Sequence, residues 1–340
     1  MKRQQPFLWL ILVLFSIPAA FAGRYVVGGQ YAFGPEGDVV IAAMQQEGGR
    51  YWQRPLPSGR ILHVLDFAHH PGVRLVYMET RMGMENATQA SVLMATLPQT
   101  LRPDVVLHSG ICGNAGPGQV GDIYLPRYFV LANLGQKSPQ QFQPWANESY
   151  DPTSQTKTQA TYFPADTSLI DLADEAFATY SRTQVFLDLQ NQVRPQGPPI
   201  ALRKGFVGAS SNWFVADSSV LALWHQLYDI RPAQGGAVSP GEQFYSQAQV
   251  SLPLATIDME SAAAAKVFYE FGIPFAVARY PSDSASETAN TEFERYYQHA
   301  AQLGGGFVWQ WIAQVAQVQP MTQNLRSHAE PAQKRLGQGP

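Results

Sequence analysis

Ala255-Thr-Ile-Asp-Met-Glu-Ser-Ala-Ala-Ala-Ala-Lys-Val-Phe-Tyr-Glu-Phe-Gly-Ile-Pro-Phe-Ala-Val-Ala-Arg-Tyr280 is the stretch that decides the fold class. Residues 255–259 form a short apolar run with β-branched members, and the spacing predicts a strand. Residues 261–271 are rich in alanine and stop at Gly272, with Pro274 just beyond, which is the punctuation of a helix C-terminus. Residues 275–280 are again apolar and β-rich. Strand, helix and strand in this order are the unit of an α/β fold with a parallel sheet.

The same alternation extends outward. Further strands are predicted at 38–44, 73–78, 104–108, 121–132 and 206–209. Their runs are nearly continuous in apolar residues, as in strands covered on both faces. Helices are predicted at 86–97, 167–180, 219–227 and 290–317, the last with Gly304-Gly305-Gly306 as a candidate kink or break. The expected architecture is therefore α/β, a central mixed but mostly parallel sheet flanked by helices. No internal linker is visible, so residues 23–318 read as one domain. The polar stretch 136–162, rich in Gln, Pro and Ser, reads as a long surface excursion, and 319–340 as a disordered tail.

The chain has 340 residues, 45% of them hydrophobic and 14% charged, with a formal net charge of −3. That composition suits a globular core and argues against nucleic-acid or anionic-membrane binding. Met1-Lys2-Arg3, the apolar run 7–17 and Ala20-Phe21-Ala22 have the form of a secretory signal peptide over 1–22. The expectation is export to a periplasmic or secreted location, with no membrane attachment after cleavage. A single cysteine, Cys112, cannot form an internal disulfide.

Ligands in open α/β sheets gather at the carboxyl ends of strands. Three carboxylates follow predicted strands there: Glu47 after 38–44, Glu260 after 255–259 and Asp283 after 275–280. Each also has an ordinary structural reading, as a helix-end charge, a turn cap or a solvated side chain. The Gly-rich segment 110–118 lacks the spacing of a nucleotide-phosphate loop, yet suits close approach of backbone to a ligand. His69-His70 has no visible third ligand, so neither a metal nor any other cofactor is expected. No Gly-x-Ser-x-Gly elbow is present.

These segments resemble the purine nucleoside phosphorylase and nucleosidase superfamily. They look most like the 5′-methylthioadenosine/S-adenosylhomocysteine nucleosidases and the related plant bark and vegetative storage proteins. Residues 41–47 resemble the family's opening strand and its Met-x-x-Glu segment. Arg81-Met-Gly-Met-Glu-Asn-Ala87 resembles its Gly-x-x-Asn-Ala segment, and 110–113 with Val120-Gly121-Asp122-Ile123 its Gly-rich turn and trailing Val-Gly-Asp. Ser210-Ser-Asn-Trp-Phe-Val-Ala-Asp217 resembles the base-pocket segment. Asp258-Met-Glu-Ser-Ala-Ala263 and Ser282-Asp283 resemble its most specific motifs, and all the matches run in family order.

The resemblance implies a single-domain nucleosidase-like fold and cleavage of a purine nucleoside, with water as co-substrate. Glu47 would activate the water and Asp283 would protonate the base. Glu260 would hold the ribose hydroxyls, with Met259 against the sugar and Phe214 on the base. Ser282, Arg279, Cys112 and Gly113 would complete the binding site. A homodimer is a further family expectation. Where phosphorylases of this superfamily carry a phosphate loop, this chain has Met44–Glu47, and His108 and Ile111 stand where they place Arg and Ser. Hydrolysis is therefore favoured over phosphorolysis. A phosphorylase and a non-catalytic nucleoside-binding or storage protein remain the alternatives.

Overall fold

A computed structural model describes residues 24–137, 142–230 and 251–329, the side chains to residue 318. The signal peptide expected at 1–22 lies outside the described residues. The chain begins with β1 (Tyr25–Tyr31), buried along its whole length. It continues into α1 (Gly34–Gln46), the antiparallel ribbon β2 (Arg50–Pro55) and β3 (Ile61–Asp66), β4 (Val73–Glu79) and α2 (Met84–Ala95). β5 (Val105–Asn114) and β6 (Ile123–Leu131) follow.

The stretch expected to be a long surface excursion pairs into short antiparallel ribbons, β7 (Gly135–Lys137) with β8 (Phe142–Pro144) and β9 (Asn147–Asp151) with β10 (Thr156–Ala160). The turn of the second hairpin closes on Asp151, whose carboxylate accepts from Thr153 N and Ser154 Oγ at 2.8 and 2.9 Å. Its covered face is anchored by Ser149 Oγ, which donates to Glu270 at 2.9 Å. Polar composition hid this ribbon because the residues of its covered face, Asn147 and Ser149, are themselves polar. Then come β11 (Tyr162–Pro164), α3 (Thr167–Tyr180), α4 (Gln184–Val193), β12 (Leu202–Ser210) and α5 (Ser218–Tyr228). The chain closes with β13 (Leu254–Asp258), α6 (Ser261–Glu270), β14 (Phe275–Asp283) and α7 (Ala289–Ala329).

The main sheet runs β11-β6-β12-β13-β5-β1-β4-β3-β2, with β14 pairing both β5 and β6. β4-β1-β5-β14 and β6-β12-β13 are parallel sets, and the two sets meet where β13 touches the end of β5 antiparallel. The sheet is thus mixed and mostly parallel, with helices packed against it.

Two expectations about elements are corrected. Residues 38–44 are helix. Val39-Val40-Ile41 favour a strand by propensity, but Gly37, Val40 and Met44 are buried at helical spacing and Pro35 sits in the first turn. The first strand is β1, upstream. The helix expected at 290–317 is continuous through Gly304-Gly305-Gly306 and extends to Ala329, so the tail expected from 319 begins inside it. Residues 330–340 lie outside the described residues. The three glycines serve contact and do not break the helix. A methyl group at Gly304 would collide with the buried ring of Tyr280, at Gly305 with Val39, and at Gly306 with Tyr180.

Candidate active site

Four strand ends meet at one place. Tyr31 pairs with Ser109, Asp283 lies opposite Gly113, and Ile257 pairs with Gly113 from the other side. The carboxyl ends of β1, β5, β13 and β14 therefore border one cleft. Its polar floor holds Glu36, Asp258, Glu260, Ser282 and Asp283, and its walls include Met82, Phe214, Met259 and Phe293.

Glu36 is set by the start of α1. Its Oε2 accepts from the backbone N–H of Ala32 at 2.7 Å and of Phe33 at 3.3 Å, reaching back as the acidic residue of a helix first turn can. Its Oε1 accepts from Ile111 N at 2.8 Å, tying α1 to β5. A side chain on Gly110 would strike Glu36 and Arg279, so glycine there permits the close approach. Burial pushes the Glu36 carboxyl up to about 8, against the pull of Arg279 and of the Ile111 and Ala32 N–H groups, and with a further push from Glu260.

Arg279, fully buried in β14, organises the floor from behind the cleft lining. Its Nη2 donates to Glu260 Oε2 at 3.3 Å and its Nη1 to the Ile111 carbonyl at 3.1 Å. Nε donates to Ser261 Oγ at 2.8 Å and sits 3.0 Å from Asp258 Oδ2, an ion pair without an aligned hydrogen bond. Nη2 also lies 2.8 Å from His108 Nε2. Because guanidinium only donates, that His108 nitrogen must be an acceptor, and Nδ1 then carries the proton toward Gln30 Oε1 at 3.4 Å. Burial, with the charge of Arg279, holds His108 well below the usual histidine range, so the ring is neutral.

Glu260 begins α6, and its Oε1 accepts from Gly83 N at 3.0 Å. Burial raises its carboxyl, with Arg279 opposing and Asp258 adding. Asp258 supports the turn, its Oδ1 accepting from Ser210 Oγ, Glu260 N and Ser261 N at 2.6, 2.9 and 2.8 Å.

Asp283 ends β14. Its Oδ1 accepts from Ala285 N at 2.9 Å and its Oδ2 from Ser282 Oγ at 2.9 Å. Burial pushes this carboxyl up to about 6, the two hydrogen bonds oppose, and Glu292 adds to the rise. Ala285 has φ of 51°, a strained value for a residue with a Cβ, held where Asp283 must face the cleft. Phe214 and Phe293 meet edge to face at 5.5 Å between ring centres on the opposite wall. A flat ring stacked there would have an aromatic partner on the wall and a carboxyl on the floor.

The cleft thus brings together Asp283, Met259, Glu260, Phe214, Ser282, Cys112 and Gly113, with Arg279 behind them. Cys112 is buried, and burial raises its thiol, which does not suit a nucleophile. Glu47 is not among the lining residues. It caps the C-terminus of α1, partly exposed, at the end of that helix opposite Glu36. The residue sequence reasoning missed is Glu36. Its signal was the turn Phe33-Gly34-Pro35 directly after the apolar run 25–31, with a carboxylate one residue beyond. Met82 and Phe293 were also missed as lining residues.

Comparison with known proteins fits this geometry. The model of the phosphorylase superfamily matches residues 38–313. The chain is 22% identical over 231 residues to the 5′-methylthioadenosine/S-adenosylhomocysteine nucleosidase of Listeria innocua, covering 68% of this chain and 77% of that protein. It is 27% identical over 112 residues to the aminodeoxyfutalosine nucleosidase of Helicobacter pylori, 31% of this chain and 48% of the relative. The solved structure of futalosine hydrolase from Helicobacter pylori superimposes with a TM-score of 0.60 at 19% identity, covering 85% of this chain and 98% of that one. At that identity the superposition speaks for the fold.

Proposed function

The chain belongs to the phosphorylase superfamily, and from that premise we propose that its cleft hydrolyses the N-glycosidic bond of a purine nucleoside. One observation carries the reading. Three of the four buried carboxylates of the floor, Glu36, Glu260 and Asp283, converge on a cleft whose lining, among the described residues, contains no Lys or Arg. Phosphorolysis needs cations for the attacking phosphate, and the buried Arg279 is already occupied by Asp258 and Glu260. Arg50 and Arg81 are exposed and outside the lining. Water is the nucleophile such a floor can serve.

The steps follow from placement. Glu36, as carboxylate, takes a proton from water while the oxygen attacks the anomeric carbon. The bond to the base breaks through an oxocarbenium-like sugar. Asp283, as acid, gives its proton to the departing purine nitrogen, so the base leaves neutral. Glu260 accepts hydrogen bonds from the sugar hydroxyls, and Arg279 offsets its charge. Met259 packs on the sugar and Phe214 on the base. The apolar wall around Met82, Phe214 and Phe293 favours a 5′ substituent without charge; of the two substrates in the relatives' names, 5′-methylthioadenosine has one, whereas S-adenosylhomocysteine carries a charged amino-acid chain there. Export, which rests on the signal-peptide form of residues 1–22, and a homodimer, which rests on the resemblance alone, are part of the same proposal.

Incubating the protein with adenosine, inosine, guanosine and 5′-methylthioadenosine, each with and without phosphate, tests it by chromatography. Free base and free sugar are expected without phosphate, and Asp283→Asn should lose about 10²–10⁴ of the rate. Strict dependence on phosphate would establish a phosphorylase, and no release under any condition a binding or storage protein.

A further inference from the structure

Helix α2 opens without a side-chain cap of its own. Its N-cap is Gly83, with φ of 98°, and no nearby side chain bonds the first turn. The N–H groups of Gly83 and Met84 would be left unpaired at such an end. Both are taken by residues distant in sequence. Gly83 N donates to Glu260 Oε1 at 3.0 Å, and Met84 N donates to Asn212 Oδ1 at 3.0 Å. The Asn212 amide then donates from Nδ2 to Glu85 Oε1 at 2.9 Å, a second bond to the same helix turn.

Two parts of the cleft therefore hang from consecutive backbone N–H groups. One is Glu260, on the floor. The other is the segment carrying Trp213 and Phe214, which are 53% and 44% exposed. On its other side that segment is tied by Ser211 N to the Asp258 carbonyl at 2.9 Å and Trp213 N to Ser211 Oγ at 3.1 Å, with Phe214 against Phe293 and Val215 buried just beyond.

We infer that Asn212 is a positioning residue, acting with Glu85 as a clamp that holds the base-stacking Phe214 in register with the sugar-binding Glu260 through the first turn of α2. The inference rests on the proposed nucleoside chemistry of the cleft. Asn212 reaches no reacting atom, so its loss weakens substrate binding and leaves the chemical step alone. The donor and acceptor can also be exchanged. Asn212→Asp keeps the acceptor for Met84 N but sets two carboxylates against each other. Adding Glu85→Gln restores a donor, from the new amide to the new carboxylate.

The test measures kcat and KM of the parent, Asn212→Ala, Asn212→Asp, Glu85→Gln and the double variant, on whichever of adenosine, inosine, guanosine or 5′-methylthioadenosine the parent cleaves. Asn212→Ala and Asn212→Asp should each raise KM about tenfold, the scale of one or two hydrogen bonds, with kcat within about twofold of the parent. Glu85→Gln alone should change little, and the double variant should return KM toward the parent. A KM within about twofold of the parent in Asn212→Ala, or a double variant as impaired as Asn212→Asp, overturns the clamp. A structural defect alone would not be rescued by the second substitution. If the parent cleaves none of the four, the hydrolytic reading fails by itself. Calorimetric affinity for adenine in the same variants then decides the clamp, and equal affinities, or no binding to the parent, overturn it.

Discussion

Glu36 and Glu47 sit at opposite ends of α1, and burial separates them. Glu36 is closed in by the Ala32, Phe33 and Ile111 N–H groups beneath the cleft, whereas Glu47 ends the helix in partial contact with solvent. Only a carboxylate held at the cleft can take a proton from an ordered water there. Glu36→Gln should therefore lower kcat by about 10²–10⁴, and Glu47→Gln should leave it within about twofold, since exposed substitutions rarely disturb a distant site. Steady-state rates of both variants on one nucleoside decide the matter, and a severe loss in Glu47→Gln would return the base to that position. Asp283, Glu260 and Phe214 were legible in sequence because each follows or joins a short motif beside a strand. Glu36 was not, because Val39-Val40-Ile41 drew the strand assignment downstream onto a helix.

At the scale of elements, α7 shows how packing overrides propensity. Glycine inside a helix costs about 1 kcal/mol relative to alanine, so Gly304→Ala would stabilise an isolated helix. Here α7 lies directly over the buried ring of Tyr280, and the added methyl collides with it. Forced overpacking of a core typically costs about 1–3 kcal/mol. Gly304→Ala should accordingly lower the midpoint of urea unfolding, and a higher midpoint would mean that α7 is not seated so closely on β14. The same seating brings Phe293, at the start of α7, to the cleft wall beside Phe214. The polar ribbon β9–β10 makes the complementary point. Its strands were invisible to a hydrophobic count because the covered face carries polar Asn147 and Ser149, and side-chain bonds at Asp151 and Glu270 help hold it.

Across the whole molecule, the floor of the cleft is assembled from α1, β5, β13, α6 and β14, and its charges act as one set. Arg279 contacts Asp258 and Glu260 and lies near Glu36, so one cation serves three buried carboxylates. Glu36 is pushed up to about 8 and Asp283 to about 6. The proposed reaction needs Glu36 ionised and Asp283 protonated. Below about pH 6, further acid protonates Glu36 without helping Asp283, and kcat/KM should fall about tenfold per unit. Above about 8, further base strips Asp283 without helping Glu36, and it should fall again. Between them the two effects cancel, leaving a plateau. A pH profile of kcat/KM that still climbs at pH 9 would dismiss this pairing of base and acid.

The strand–helix–strand unit at 255–280 determined the α/β class by itself, because burial on both faces writes a continuous apolar run and a helix end writes Gly and Pro. The motifs at 258–263 and 282–283 likewise marked two of the three carboxylates, since short local geometry sets both turns. Which glutamate lies at the cleft was decided only in three dimensions. That choice depends on the Glu36 side chain meeting Ile111 and lying close to Arg279, residues far away along the chain that the pairing of β1, β5 and β14 brings beneath one cleft.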